Sequence, residues 1–446
     1  MSKRTAHFQA FGYEPLRMKP AHFASGFFIA VTGEVFRNEL LNQTAVIHAA
    51  KGLLKGYQTE ALTARLHDEE VAEGLAPAAV ELLRIQVNGV VNNDDAMYPA
   101  FAPYNAKGND YTFISRRVLT VEDRTDGYAG YFVSAVLACT PAGRAVLATG
   151  RRLAEEPAKT LEQLVEPLIA REAAQPMDLA HEYLEKFGVL NAERLEAIAA
   201  VMASETHALQ RLCHNALVHS HYKQIRFYIL GLLAWLMRYL LKTAANERPA
   251  PAMLFDFTGD RTGRTRLQSK VCYARLRETV GQAYMQRAQA GAFEPDILSA
   301  KLFNKKTKQG DVLEDDLDFS FLETHFSDLA LRLGYAQPRA SRVPDKHLEL
   351  QPDTLRVLML SVLEDDPQRA VTLDEVCAKL TTTWGVVVGA NNGDLNFLRE
   401  HGYFGMDEDD LRGNVAAFVA RLKSLNLAVE PSDGLVLCST EVGGIL

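Results

Sequence analysis

Leu427-Ala428-Val429-Glu430-Pro431-Ser432-Asp433-Gly434-Leu435-Val436-Leu437-Cys438 reads as strand, tight turn and strand. Asp-Gly between two apolar runs supplies the positive-φ positions that a hairpin turn needs. Upstream, Asp407-Glu408-Asp409-Asp410 opens a helix that carries Val415, Phe418, Val419 and Leu422 at helical spacing to about Leu425. Earlier still, Thr372-Leu373-Asp374-Glu375 is a Ser/Thr-x-x-Glu capping box, the start of another helix. Residues 354–364 place Leu355, Leu358, Met359 and Val362 on one helical face. Three helices followed by a hairpin is the order of a winged helix, so residues 347–446 are expected to form a winged-helix domain.

Winged helices often bind DNA, and charge separates that role from protein docking. Residues 349–446 hold 7 Lys and Arg against 16 Asp and Glu, a net of −9. Asp407, Glu408, Asp409 and Asp410 stand where a DNA-reading helix would meet phosphate. They favour the positive end of the helix dipole but repel a polyanion. These four acids are therefore expected to form a protein interface.

The whole chain of 446 residues carries 48 Lys and Arg and 56 Asp and Glu, a formal charge of −8. That balance excludes a uniformly basic wrapper of nucleic acid, and 48% hydrophobic with 23% charged residues describes an ordinary globular protein. Taking −9 from −8 leaves residues 1–348 close to +1, and their positive charge is concentrated. Residues 257–310 hold 11 Lys and Arg against 4 acids, a net of +7. On a helix over 265–290, steps of 100° from Arg266 put Lys270, Tyr273 and Arg277 at about 40°, −20° and 20°. Leu267, Val271 and Ala274 then lie to one side. Cations interleaved with an aromatic suit phosphate neutralisation and base stacking. Arg261, Arg264, Arg266, Lys270, Tyr273 and Arg277 are thus candidate nucleic-acid contacts. A partner's acidic face, or self-pairing with the acidic run Asp311, Glu314, Asp315, Asp316 and Asp318, would use the same cations.

The rest of the chain predicts an α+β multidomain protein. Residues 1–155 read as a strand-containing N-terminal domain, with strands at 27–31, 84–91, 111–115 and 130–137, where aromatic and β-branched residues lie between turn clusters such as Asn92-Asn93-Asp94-Asp95. A helical stretch over 35–83 interrupts them. Residues 156–248 read as a helical domain, with a stretch from Asn191 to Asn246 interrupted only by Gly231. Glu247-Arg248-Pro249-Ala250-Pro251 is a linker, residues 252–340 form a basic helical segment, and a second boundary falls at 338–344. The apolar run 228–241 is 14 residues long, short of the ~20 that span a bilayer, and reads as a core helix. The five cysteines lie far apart without a C-x-x-C pair, which suits a reducing cytoplasm, and no signal-peptide h-region follows Met1.

Catalytic motifs are hard to find. Gly259-Asp260-Arg261-Thr262-Gly263-Arg264-Thr265 has neither the spacing nor the lysine of a phosphate-binding P-loop, and G-x-S-x-G, H-E-x-x-H and G-x-G-x-x-G do not occur. His207, His214 and His221 share a seven-residue spacing, a stripe better suited to a surface than to a metal. Glu314, Asp315, Asp316 and Asp318 could serve a divergent metal-dependent nuclease, which needs acids converging on Mg²⁺. No cofactor is expected.

The set formed by residues 355–363, Val371-Thr372-Leu373-Asp374-Glu375, Arg412-Gly413-Asn414, Leu425-Asn426-Leu427 and Pro431-Ser432-Asp433-Gly434 resembles the tail of DptG-type proteins. These are accessory subunits of bacterial phosphorothioation-dependent restriction and phage-defence systems, and the resemblance covers the C-terminal quarter. It implies a non-catalytic subunit working beside an FtsK/HerA-like ATPase or helicase on invading DNA. The expectation is therefore a cytoplasmic adaptor or scaffold subunit of a DNA-targeting defence complex, with the nuclease as the alternative.

Overall fold

The computed structural model describes residues 11–15, 20–35, 128–155, 175–176, 191–245, 251–289, 320–338, 345–364, 369–431 and 435–440. These are mostly helical, with a few short strands. The chain divides into two compact units, one of Met18–Glu196 with His219–Ile229, the other of Met1–Arg17, Ala197–Val218 and Leu230–Leu446.

In the first unit, α1 (Pro20–Thr32) is followed by β1 (Glu34–Val35), α2 (Ala129–Ala138), α3 (Pro141–Glu155) and β2 (Gln175–Pro176), with β1 and β2 antiparallel. Two expected strands are corrected here: 27–31 lies within α1 and 130–137 within α2. Short apolar runs fit a buried helix as well as a buried strand, and packing decides between them. Phe23, Phe27, Phe28, Phe132 and Val133 are all fully buried. Gly130 allows the two helices to meet, since a Cβ there would stand 2.3 Å from the Phe27 amide nitrogen. Tyr228 joins this core from the opening turns of the helix His221–Ala245, donating from its hydroxyl to the Val146 carbonyl at 2.9 Å. The expected strands at 84–91 and 111–115 and the helical stretch at 35–83 lie outside the described residues.

The second unit continues through α4 (Ala192–Val201, from Ala197 onward), α5 (Ala203–Asn215) and α6 (His221–Ala245, from Leu230 onward). Gly231 does not interrupt a helix as expected. It lies inside α6, where a Cβ would stand 2.4 Å from Leu212 Cδ2, so the glycine serves close approach to α5. The chain breaks instead at Met202 and at residues 216–220. α6 is long and apolar enough to cross a membrane by length and composition, yet 89% of its apolar window is buried inside the protein. That is the pattern of a core helix. On α6, Arg238 and Lys242 approach the fully buried Glu205 of α5 at 3.5 and 2.6 Å.

Next come β3 (Met253–Leu254), α7 (Arg264–Gln289), α8 (Ser320–Leu333), β4 (Ala336–Gln337), β5 (His347–Leu348) and α9 (Pro352–Val362). The terminal segment adds β6 (Val371–Thr372), α10 (Leu373–Lys379), β7 (Val386–Val387), α11 (Asp394–Glu400), α12 (Glu408–Ser424), β8 (Ala428–Val429) and β9 (Leu437–Cys438). The capping box at Thr372 and Glu375 is formed, and a second one joins Asp407 to Asp410 at the start of α12. β8 and β9 pair antiparallel with Ala428 opposite Cys438, and β6 completes a three-stranded sheet in the order β6-β9-β8. The segments 252–340 and 347–446 both belong to this unit, where β3 pairs in parallel with β7 and β4 pairs antiparallel with β5.

α5 packs on α9 through polar contacts with the last turn's carbonyls. Arg211 Nε donates to Ser361 O at 2.9 Å and Asn215 Nδ2 to Leu360 O at 2.8 Å. Gly231→Leu forces extra methylenes into the α5 contact, and overpacking of this kind costs about 1–3 kcal/mol. The expected result is a lower urea midpoint by circular dichroism with helix content retained.

Candidate functional site

Arg264 leaves its exposed head on the cap of α12, with Nη1 2.8 Å from Asp407 Oδ2 and 3.6 Å from Asp410 Oδ2. Arg266, 11% exposed, binds the buried carboxylate of Asp256 through Nε and Glu349 Oε2 through Nη2 at 3.4 Å. Tyr273 is fully buried against Phe326, ring centroids 5.7 Å apart, and burial pushes its hydroxyl pKa up. Arg277 pairs with Glu323 of α8. Arg261 is exposed and Lys270 half-buried, and neither makes an ion pair or hydrogen bond among the described residues.

The helical angles thus put Arg266, Tyr273 and Arg277 on a common face that turns into the protein. Leu267, Val271 and Ala274 face solvent instead. Cys272, Tyr273, Leu276, Val280 and Ala283 make the inward side of α7 apolar, and Arg266 at its edge meets a buried acid. Asp256 has no exposure, and a buried carboxylate stays ionised only beside a cation or several donors. Lys301, Lys305, Lys306 and Lys308 lie outside the described residues, as does the acidic run 311–318 that carries the nuclease alternative. His207 and His214 are exposed on α5, and among the described residues no three His, Cys, Asp or Glu side chains are grouped for a metal.

The two candidate sets, one basic and one acidic, therefore meet. Asp407 caps α12 by accepting from the Asp410 amide at 3.0 Å, and that bond, followed by Arg264, holds its carboxyl below the usual range. Asp407 and Asp409 keep side-chain exposures of 53% and 85%. Glu408 is exposed as well.

Behind this surface lies a buried polar network that the sequence reading missed. Asp256 Oδ1 accepts from the Thr258 amide at 3.0 Å and its hydroxyl at 2.7 Å. Glu349 accepts from Arg421 Nη2 at 2.8 Å and bonds His347 Nε2 at 3.0 Å. Arg421 also sits 5.6 Å over the Phe257 ring. The fully buried Asn414 of α12 accepts from the Phe257 amide at 2.8 Å and donates to the carbonyls of Phe255 at 3.0 Å and Val388 at 2.9 Å. A signal was available, for an Asp between two phenylalanines in Met253-Leu254-Phe255-Asp256-Phe257 has to be either exposed or neutralised. Cys272 is also buried and accepts from the Tyr403 hydroxyl at 3.2 Å, and burial pushes its thiol up to about 11. Carboxylates locked to guanidinium groups and a protonated thiol hold a structure together and leave little free for chemistry. Searches against protein-family models, curated proteins and solved structures found no match.

Two predictions follow from the network. Arg266→Met leaves Asp256 buried without its cation, a loss of about 3–5 kcal/mol in chemical unfolding. The Glu349 carboxyl is lowered to about 2, first by the His347 hydrogen bond and then by Arg421. Its folded value lies below the unfolded ~4.3, so its contribution is present above that pH and lost as pH falls toward 2. Urea midpoints measured from pH 6 downward should therefore fall more steeply for the wild type than for Glu349→Gln across that window.

Proposed function

We propose that this chain is a non-catalytic adaptor or scaffold subunit that docks protein through the acidic end of its terminal module. Residues 347–446 are read as a winged helix with one added helix: α9, the strand β6, α10, the short α11, then α12 in the place of the recognition helix, with β8 and β9 as the wing. The order β6-β9-β8 supports that reading. In a DNA-reading helix-turn-helix the recognition helix meets the groove with its N-terminal residues. Here that end presents Asp407, Glu408 and Asp409 to solvent. This acidic end carries the reading, because it repels phosphate and suits a basic protein surface.

The basic segment supports a smaller DNA role than its composition implied. Its inward cations already have partners, which leaves Arg261 and Lys270 as the cations of α7 and its approach loop that remain uncommitted among the described residues. Membership in a bacterial DNA-targeting defence complex, beside an ATPase or helicase in the cytoplasm, rests on the resemblance of the C-terminal quarter.

The test is co-purification of the full chain, with Glu408→Lys/Asp409→Lys and Arg261→Glu variants beside the wild type. A partner should be retained at fixed stoichiometry by the wild type and by Arg261→Glu, and be lost with the double reversal. Mg²⁺-dependent plasmid cleavage by the purified chain, or a partner held equally by all three proteins, overturns the reading.

A further inference from the structure

α7 leaves an apolar stripe uncovered. Leu267 and Val271 are 48% and 39% exposed, Ala274 is exposed, and the three follow one another at spacings of four and three residues. That is the seam spacing of paired helices. Beside it stands Phe404, 74% exposed. Its loop lies along the adjoining face of α7, where Arg275 Nη1 donates to the carbonyls of His401 at 3.0 Å and Gly402 at 2.8 Å. Tyr403 turns inward to Cys272, and Gly405 sits against Gln268 so closely that a Cβ would stand 2.4 Å from its Nε2. With the residues on both sides anchored inward, Phe404 is held outward. Single exposed apolar side chains are ordinary, but a clustered and fixed set marks a contact surface.

The charges at the ends of the stripe identify what covers it. Arg264 lies seven residues before Val271 and Glu278 seven after, and the series 264, 267, 271, 274, 278 keeps the three-four alternation throughout. Reversed end for end about Val271, the positions of Arg264 and Glu278 exchange, so the stripe matches its own reverse in charge. Arg264 keeps 60% side-chain exposure while bound to Asp407, so part of its guanidinium still faces water. Glu278 uses one oxygen for Gln282 at 3.1 Å and has its other oxygen to offer. A foreign helix of one charge sign would match only one end.

We propose that this face is a two-fold interface between two copies of the chain, with α7 packed antiparallel on α7 about Val271. Leu267, Val271, Ala274 and Phe404 form its apolar centre, and Arg264 of one copy meets Glu278 of the other. Such an interface is isologous and closed, which limits assembly to a dimer. One helix pair with a flanking phenylalanine buries less than the about 800 Å² per partner of a standard stable interface. The dimer therefore forms and dissociates with concentration. The interface borders the acidic end of α12, because Arg264 holds Asp407, and the Val271 and Phe404 variants, which leave that contact in place, distinguish the two.

Sedimentation velocity of the full chain over a wide concentration range tests it. The wild type should shift from monomer to dimer as concentration rises. Val271→Asp and Phe404→Asp, both at exposed positions, should raise the dissociation constant by about tenfold or more without changing the circular-dichroism melting curve. Glu278→Arg should weaken the dimer, and Arg264→Glu combined with Glu278→Arg should restore it. Val271→Cys, on the two-fold axis, should oxidise to a cross-linked dimer on a non-reducing gel where the wild type and Gln282→Cys do not. A wild type that stays monomeric at the highest concentration, a dimer that survives both Val271→Asp and Phe404→Asp, or no recovery in the charge-swapped pair overturns it.

Discussion

Asp256 is the constraint around which the larger unit is organised. Its carboxylate has no exposure, and an ionised carboxylate in such a place costs several kcal/mol unless neutralised and hydrogen-bonded. Thr258 supplies two donors from two residues away, and Arg266 supplies the cation. Because Arg266 also reaches Glu349, and Glu349 holds Arg421, one chain of charges runs from the β3 loop through α7 and the end of β5 to α12. Asn414 makes a parallel connection by bonding the backbone on both sides of Asp256. Ser269 adds a third, exchanging two 2.8 Å hydrogen bonds with the Leu348 backbone. The helix, the strand and the terminal segment are thus positioned by polar groups that cannot be left unpaired.

The same packing determines what α7 can show to solvent. Its buried side carries Cys272, Tyr273, Leu276, Val280 and Ala283, and Arg266 and Arg277 at the edge of that side turn inward to Asp256 and Glu323. Turning them inward carries Leu267 and Val271 outward, since those positions lie about a third of a turn away. The exposed apolar stripe and the buried ion pairs are therefore two sides of one orientation of the helix.

The readability of the fold followed the range of the interactions. Local devices were legible: the Thr372–Glu375 box, the Asp407 start of α12 and the pairing of 428–429 with 437–438 each depend on near neighbours in sequence, while the Asp433-Gly434 turn itself lies outside the described residues. Residues 27–31 and 130–137 were misread as strands because their aromatic and β-branched content reflects burial, and burial is a tertiary property. Gly231 was read as a break because glycine weakens a helix, whereas it serves the passage of Leu209 and Leu212 on α5. The candidate site shows the same limit. Angles around a helix axis grouped Arg266, Tyr273 and Arg277 correctly, but the direction of the group follows the apolar series Tyr273, Leu276, Val280 and Ala283 beside it, which is buried. The partners of its cations, acids 10 residues before Arg266 and 46 after Arg277, are not local and could not be read from the helix.

The charge map changes meaning in consequence. A net of +7 over residues 257–310 and −9 over residues 349–446 suggests two surfaces with two ligands. In the folded unit, Arg264 with Asp407 and Arg266 with Glu349 make the two segments partly each other's counterions. Surface pairs such as Arg264–Asp407 contribute at most about 1 kcal/mol, so they orient the segments more than they stabilise them. Function then has to be sought in what these pairs leave over. That remainder is the acid at Glu408, the cations at Arg261 and Lys270, and the apolar stripe with Phe404. All of these lie on α7, its approach loop, α12 and the loop between α11 and α12, so the recognition surface of this unit is built where the basic and acidic segments meet.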